Sequence, residues 1–449
     1  MKLKESIDNI YYILYIFATF FDILCGYYFY GLPFLERKDT CDKISKRITK
    51  LGVVFIKMAQ WISCTENGLP KQLVESLVKL QSSVEYELGE TILPTHKLIK
   101  SIEETPIGVG SIASVHRCTL TNCDNDKKYI IKIINKQKQD KLIKNCQQIN
   151  ELLYWVKKTF FLRSLCFDVL DILNEMIHQC DLHNEAKNMN KMRDFIKSSP
   201  YLKVPTLIHV EENWMIQEFC NGISMEKVRN EMPEYFGDYC TKLYGFFNTM
   251  CFDFYFMHAD IHDGNSLYEL NEEDPDKSSI VLLDFGFCIE LSKEMADTME
   301  DFQIGMLDDD IDKVCDALPK FFSDKKKVIL DKVGLRKIWK HHIGDQMSPD
   351  KFVAEKIPQI LLDICNYHEL EFNHYSFYWV LNNQLLLKNT FYIDDFGEKI
   401  MFPVMKGTLA MMNRDDWNLP SRFNDPNSEL AKAYERNKSK LFAQINKDL

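Results

Sequence analysis

Three polar side chains in the C-terminal half have the types and spacing that metal-assisted phosphoryl transfer needs. Asp260 and Asn265 stand five residues apart in His258-Ala259-Asp260-Ile261-His262-Asp263-Gly264-Asn265. Asp284 follows in Ile280-Val281-Leu282-Leu283-Asp284-Phe285-Gly286. A carboxylate beside the acceptor can orient or deprotonate it, and Asp260 is assigned that role. An amide oxygen and a second carboxylate are hard ligands for Mg²⁺ on nucleotide phosphates, which assigns Asn265 and Asp284 to the metal. Alone, D-x-x-x-x-N fits a polar turn with incidental acids. A D-F-G about twenty residues on, closing an apolar strand, turns the pattern toward a kinase-like site.

Other elements must position these groups. Residues 244–257 read as an apolar helical run feeding the first motif. Residues 271–279, polar with one Pro, read as a hairpin turn before the apolar strand. Upstream, Gly108, Val109, Gly110 and Ser111 sit in a small-residue turn within 106–116, where the backbone can approach phosphates. Lys132 lies inside the apolar strand 129–134 and can pair with phosphate as a point charge. Such a Lys needs an acid on a helix to hold it. Glu185, in a helix predicted over 168–196, is the candidate; the competing reading is a surface acid. The gap between Lys132 and Glu185 is about fifty residues and contains a polar, helix-forming insertion at 136–158. Residues 204–210 and 213–219 read as a second hairpin, broken by Cys220-Asn221-Gly222. Backbone groups from Glu218 to Cys220 are expected to face adenine. No A-P-E follows the D-F-G, a helix is predicted over 293–306, and Ala259 replaces the Arg that would bind a phosphorylated loop. A conventional peptide-docking platform is therefore not expected.

The bulk properties agree with an intracellular two-lobed enzyme. The chain has 449 residues, 46% of them hydrophobic, with 14 scattered cysteines and no C-x-x-C pair. That pattern speaks against a zinc ribbon or a secreted disulfide framework. A net charge of −11 with no basic tract speaks against a nucleic-acid partner. Residues 10–32 are apolar and about long enough to cross a bilayer, but Asp22 sits near their middle. Insertion is marginal, since one central Asp offsets roughly half of the apolar gain. A packing helix or one lying in the interface fits equally. No clear signal or transit peptide is evident. Residues 39–50 read as a linker leading into a helix. Residues 50–64 and 71–81 then form a predicted helical hairpin with Lys57 and Gln60 on one face.

With these motifs in order, the chain resembles the UbiB/ADCK family of atypical kinases over about residues 45–320. Lys57-Met58-Ala59-Gln60 is similar to that family's K-x-G-Q signature, with Ala59 in place of Gly. Gln179-Cys180-Asp181 is similar to its E-x-D element, with Gln179 in place of Glu. The glycine turn stands where the family has an alanine-rich loop. The resemblance implies an α+β, two-lobed protein-kinase-like fold with an N-terminal helical extension over the nucleotide cleft. It implies a membrane-associating segment at 1–40, the extension at 41–100, the N-lobe at 101–222 and a mostly helical C-lobe at 223–449. It further implies ATP or ADP with Mg²⁺, a membrane lipid or lipid-like substrate, a role in coenzyme Q or other lipid metabolism, and a mitochondrial, membrane-associated setting. Lys57, Gln60 and Asp181 would gate the cleft. With Gln179 uncharged, either Asp181 neutralises Lys57 or Lys57 stays free to bind nucleotide phosphate directly, so looser gating is expected. Two other readings compete: a small-molecule phosphotransferase of aminoglycoside or choline kinase type, and a nucleotide-binding scaffold without catalysis.

Overall fold

The computed structural model describes residues 11–23, 37–56, 72–73, 76, 91–121, 127–160, 169–261, 264–308, 310–322, 331–343 and short pieces between 360 and 436. The chain opens with helix 11–23, then α1 (Lys38–Leu51), β1 (Ile99–Ile102), β2 (Gly108–Val109), β3 (Ala113–Leu120) and β4 (Tyr129–Ile134). Three helices follow: α2 (Lys136–Phe160), α3 (Val169–His178) and α4 (Leu182–Ile196). Next come β5 (Leu202–Lys203), β6 (Leu207–Val210), β7 (Trp214–Glu218), β8 (Ile223–Ser224), α5 (Met225–Glu231) and α6 (Pro233–Phe252). The site strands are β9 (Phe256–His258), β10 (Ser266–Glu269), β11 (Ser279–Leu282) and β12 (Cys288–Glu290), ahead of α7 (Lys293–Asp308). Further helices lie at Ile311–Ala317 and Lys332–Ile343. This is an α+β architecture in two units, one holding residues up to 165, 169–183 and 208–219, the other holding 184–207 and the chain from 220.

The first unit is built on an antiparallel sheet of order β1-β3-β4-β7-β6, with β2 hairpinned onto β3. Strand alternation divides its faces. Ile131 and Ile133 join Cys118, Leu120 and Ile216 in one core cluster, with Leu93, Ile99, Ile102 and Trp214 packed against it. Lys132 therefore belongs to the opposite face. Expected hairpins appear where the turn residues place them: β6 and β7 close through the Glu211 N–H to the Trp214 carbonyl at 2.8 Å.

Residues 39–50, expected as a linker, are helix α1 instead. Cys41, Ile44, Ser45 and Leu51 are buried along one stripe, so polar composition hid an amphipathic helix. The helix expected to start at Lys50 is interrupted at Gly52, whose φ of 104° favours glycine, and only 53–56 of it is described. A Cβ there would come within 2.8 Å of the Asn145 amide nitrogen on α2. The long insertion thus provides a surface for the N-terminal extension. Helix 11–23 joins the same assembly: Tyr12 donates to the Leu51 carbonyl at 2.8 Å, Phe20 packs on Phe55, and Asp22 pairs with Arg47. Among the described residues no helix is long and apolar enough to cross a membrane.

The second unit carries a sheet of order β5-β11-β10-β8, in which β10 and β11 form the expected antiparallel hairpin. A separate ladder joins β9 to β12, pairing His258 with Cys288. The apolar run at 244–257 is not wholly helical. It leaves helix at Phe252, turns through Tyr255 with φ 51°, and ends as strand β9. The helix expected over 168–196 is likewise two helices, broken at Gln179-Cys180-Asp181. Asp181 causes part of that break. Its carboxylate accepts the His183 N–H at 2.9 Å and so caps α4.

Candidate functional site

The site in the second unit grows from the β9–β12 ladder. His258 is fully buried at the end of β9. Its Nδ1 accepts the Asp260 N–H at 3.3 Å, which leaves the proton on Nε2. That nitrogen donates to the Asp284 carbonyl. One imidazole therefore spans the two motifs and sets the backbone of both carboxylates. The Ala259 N–H donates to the Phe287 carbonyl at 2.9 Å, and the Ile261 N–H to the Asn382 side-chain oxygen at 3.1 Å. These bonds hold the loop on both sides of Asp260.

Asn265 closes the loop. Its amide nitrogen donates to the Asp260 carbonyl at 2.9 Å, while its own carbonyl accepts the Leu283 N–H at 3.0 Å. Committing the nitrogen end fixes the orientation of the amide, whose oxygen is the candidate metal ligand. Asp284 has one carboxylate oxygen on the Gly286 N–H at 2.9 Å.

Glu185 lies in the first turn of α4 and is buried. The surface-acid reading fails on that observation. Its helix is pinned to the D-F-G segment by Asn188, one turn on, whose buried amide donates to the Phe285 carbonyl at 3.1 Å. Lys191, a further turn along, reaches Glu290 at 2.7 Å and the Phe256 ring at 4.7 Å, and holds the Glu290 carboxyl below the usual range. Asn188 escaped the sequence reading because an Asn in a helix carries no motif by itself. Its i, i+3 spacing from Glu185 was the available signal.

Cys288 reports on the charge of the site. Burial, then Asp284, Glu185 and Asp260 in that order, push its thiol well above the ordinary range. Three carboxylates thus act on one partly buried thiol, with Lys191 acting against them. That concentration of negative charge, with hard oxygen donors on Asn265 and Asp284, fits a divalent cation of the Mg²⁺ type.

In the first unit the phosphate-facing candidates share one row of the sheet. Gly108 pairs with Val115, Val115 with Lys132, and Lys132 with Met215. The turn is tight, with the Gly110 N–H donating to the Ala113 carbonyl at 2.8 Å. A Cβ at Gly108 or Gly110 would meet only ordinary contacts, at 3.9 and 3.5 Å, so alanine fits both positions. Val109 is on β2 and Ser111 in the turn. Glu218 ends β7 opposite Tyr129, and the Phe219 N–H is taken by the Lys128 carbonyl at 3.0 Å. Cys220 follows as the first residue of the second unit. Lys132 and Glu185 belong to different units, and Lys57 and Gln60 lie outside the described residues.

These elements define the class: an α+β kinase-like fold whose catalytic-loop and D-F-G segments are joined through one buried histidine. Comparison with known proteins agrees. The family model described as "ABC1 atypical kinase-like domain" matches residues 76–318, more than half of the chain. The chain belongs to this family, the UbiB/ADCK atypical kinases. It is 25% identical to a "Probable protein kinase UbiB" of Marinobacter nauticus, covering 59% of this chain and 50% of that protein. It is 27% identical to the mouse "AarF domain-containing protein kinase 1", over 54% of this chain and 47% of that one. It is 25% identical to the Arabidopsis thaliana protein "ACTIVITY OF BC1 COMPLEX KINASE 7, chloroplastic", over 63% of this chain and 42% of that one. The chain spans about half the length of the curated relatives it matches.

Proposed function

We propose that this protein binds ATP with Mg²⁺ and transfers or hydrolyses the γ-phosphoryl group at a membrane surface, in support of coenzyme Q or other lipid metabolism. The observation that carries the reading is His258, whose two ring nitrogens link the Asp260 and Asp284 backbones. An incidental pair of polar turns has no need of that bridge. Asn265 and Asp284 would hold Mg²⁺, which when bound offsets phosphate charge. Lys132 would contact the phosphates, and the turn from Gly108 to Ser111 would cover them. Glu185 would hold Lys132. Backbone groups of Glu218 and Cys220, where β7 leaves the sheet, would face adenine. Asp260 would orient the acceptor hydroxyl or water and take its proton. The test is nucleotide turnover by the whole protein, with and without vesicles carrying phenolic or quinone-like lipids. Mg²⁺-dependent turnover that such vesicles stimulate supports the reading. Failure to bind Mg²⁺-nucleotide overturns it.

Asn188 gives a positioning test of the same site. Asn188→Ala leaves the buried Phe285 carbonyl without this donor, at a cost of about 1–3 kcal/mol. Turnover should fall about tenfold or more while nucleotide affinity changes less, because the D-F-G backbone loses a tether rather than a ligand. Steady-state kcat beside nucleotide Kd separates the two.

The membrane part rests on helix 11–23. Tyr12, Ile16, Thr19 and Ile23 face inward at helical spacing. Tyr11, Leu14, Phe17, Phe20 and Phe21 are exposed large apolar side chains on the remaining surface. With Asp22 paired to Arg47, this helix would lie in the interface with its aromatic face in lipid. Phe17→Ser with Phe21→Ser should weaken vesicle co-sedimentation at least about tenfold without changing turnover in detergent. Unchanged co-sedimentation would assign the helix to packing alone.

A further inference from the structure

The first unit holds a cluster that phosphoryl transfer does not use. His96, in the segment before β1, meets His209 and Glu211 at the β6–β7 hairpin. One ligand atom from each lies within 4.8 Å of the others. The rings of His96 and His209 stack with centroids 5.0 Å apart and planes 17° from parallel. Trp214 lies against both, at 5.4 and 5.2 Å. Trp214 packs with the Ile131 and Ile133 cluster, so the group sits on the sheet face opposite Lys132.

We propose that these three side chains form a binding site for a borderline transition-metal cation, Zn²⁺ in the first instance. Two imidazoles and one carboxylate are a nitrogen-rich donor set that selects Zn²⁺ over Mg²⁺ or Ca²⁺. In the metal-free state His96 Nδ1 accepts the Leu98 N–H at 3.4 Å and the ring proton sits on Nε2, so ligation through Nε2 requires that proton to move to Nδ1 at the expense of this long bond. His209 Nε2 donates to a Glu211 carboxylate oxygen at 2.9 Å, so a cation would take the place of that proton between the two side chains. His209 and Glu211 are two apart along an extended segment, which puts both side chains on one face. Their backbone is fixed by the Glu211 to Trp214 bond, and His96 is fixed by the Ile99 N–H on its carbonyl at 2.9 Å. A His209–Glu211 ion pair accounts for those two residues. Stacking on Trp214 accounts for the packing of the two rings, and the inference rests on the three ligand atoms lying within 4.8 Å of one another. Partial exposure of the group gives an ion a path in from solvent, with water completing the coordination. The metal would staple the segment before β1 to the hairpin more than a hundred residues later. That closure stabilises the sheet that carries the phosphate turn and Lys132.

The experiment uses the full chain, purified with a chelator and dialysed free of it, without nucleotide. Zn²⁺ is titrated by calorimetry, and the melting temperature is read with and without the ion. One equivalent of Zn²⁺ and a rise of several degrees in Tm are expected. His96→Gln, His209→Gln and the conservative Glu211→Gln should each remove or weaken that equivalent at least tenfold while keeping the metal-free Tm near the wild-type value. Co²⁺ in place of Zn²⁺ should give weak ligand-field absorption without a thiolate charge-transfer band. The inference is overturned if no equivalent binds, if the His96→Gln, His209→Gln double variant keeps the wild-type stoichiometry and Tm gain, or if the Co²⁺ complex shows thiolate ligation.

Discussion

Asp284→Asn is expected to lower nucleotide turnover by at least about 10³-fold and to weaken Mg²⁺-dependent nucleotide binding with it. Several kcal/mol of transition-state stabilisation come from a metal on transferring phosphate, and an amide in place of the carboxylate removes a full ligand charge. The fold should be spared. Asparagine keeps an oxygen for the Gly286 N–H, and the bond to His258 uses the Asp284 backbone carbonyl. Nucleotide affinity measured at several Mg²⁺ concentrations, beside turnover and Tm, reads all three. Wild-type affinity for Mg²⁺-nucleotide together with wild-type turnover would remove Asp284 from the metal.

Asp260→Asn is expected to cut turnover about 10²- to 10⁴-fold while leaving nucleotide affinity near the wild-type value. The contrast with Asp284 lies in what each side chain does. Asp260 would act on the acceptor, which is absent when nucleotide binds alone. Two hydrogen bonds that hold its loop, from the Asp260 N–H and to its carbonyl, are made by backbone and survive the substitution. A variant that lost nucleotide binding but kept its rate per bound nucleotide would exchange the assigned roles. Isothermal titration with a non-hydrolysable nucleotide, paired with single-turnover rates, distinguishes these outcomes.

Both predictions concern residues that stood out before any coordinates, and the reason is local. D-x-x-x-x-N and D-F-G are short, and their chemistry needs particular side chains at particular offsets. The hairpin between β10 and β11, the strand around Lys132 and the β6–β7 turn were legible for similar reasons. Alternating apolar residues and turn formers act within a few positions of each other. Element boundaries fared worse where a tertiary partner decided them. Residues 169–196 carry one apolar period, yet Asp181 caps a new helix and the Cys180 carbonyl is drawn to the Gln139 side chain, so the helix breaks between. Residues 39–50 look like a polar linker, yet they lie in helix α1, whose Cys41, Ile44 and Leu51 are buried.

The amino-acid sequence by itself determined the family, the β6–β7 and β10–β11 hairpins and the identity of the candidate phosphoryl-transfer groups, because each depends on residue type and short-range spacing. Tertiary structure alone decided which groups meet. His258 was read as part of a motif, and only the β9–β12 ladder shows its two nitrogens joining Asp260 to Asp284. Asn188 gained its role from a carbonyl 97 positions away. His96, His209 and Glu211 carry no shared signature, because one segment folds back on a hairpin distant in sequence. Side-chain pairing across such separations depends on how strands register and how helices dock, and neither is encoded at any single position.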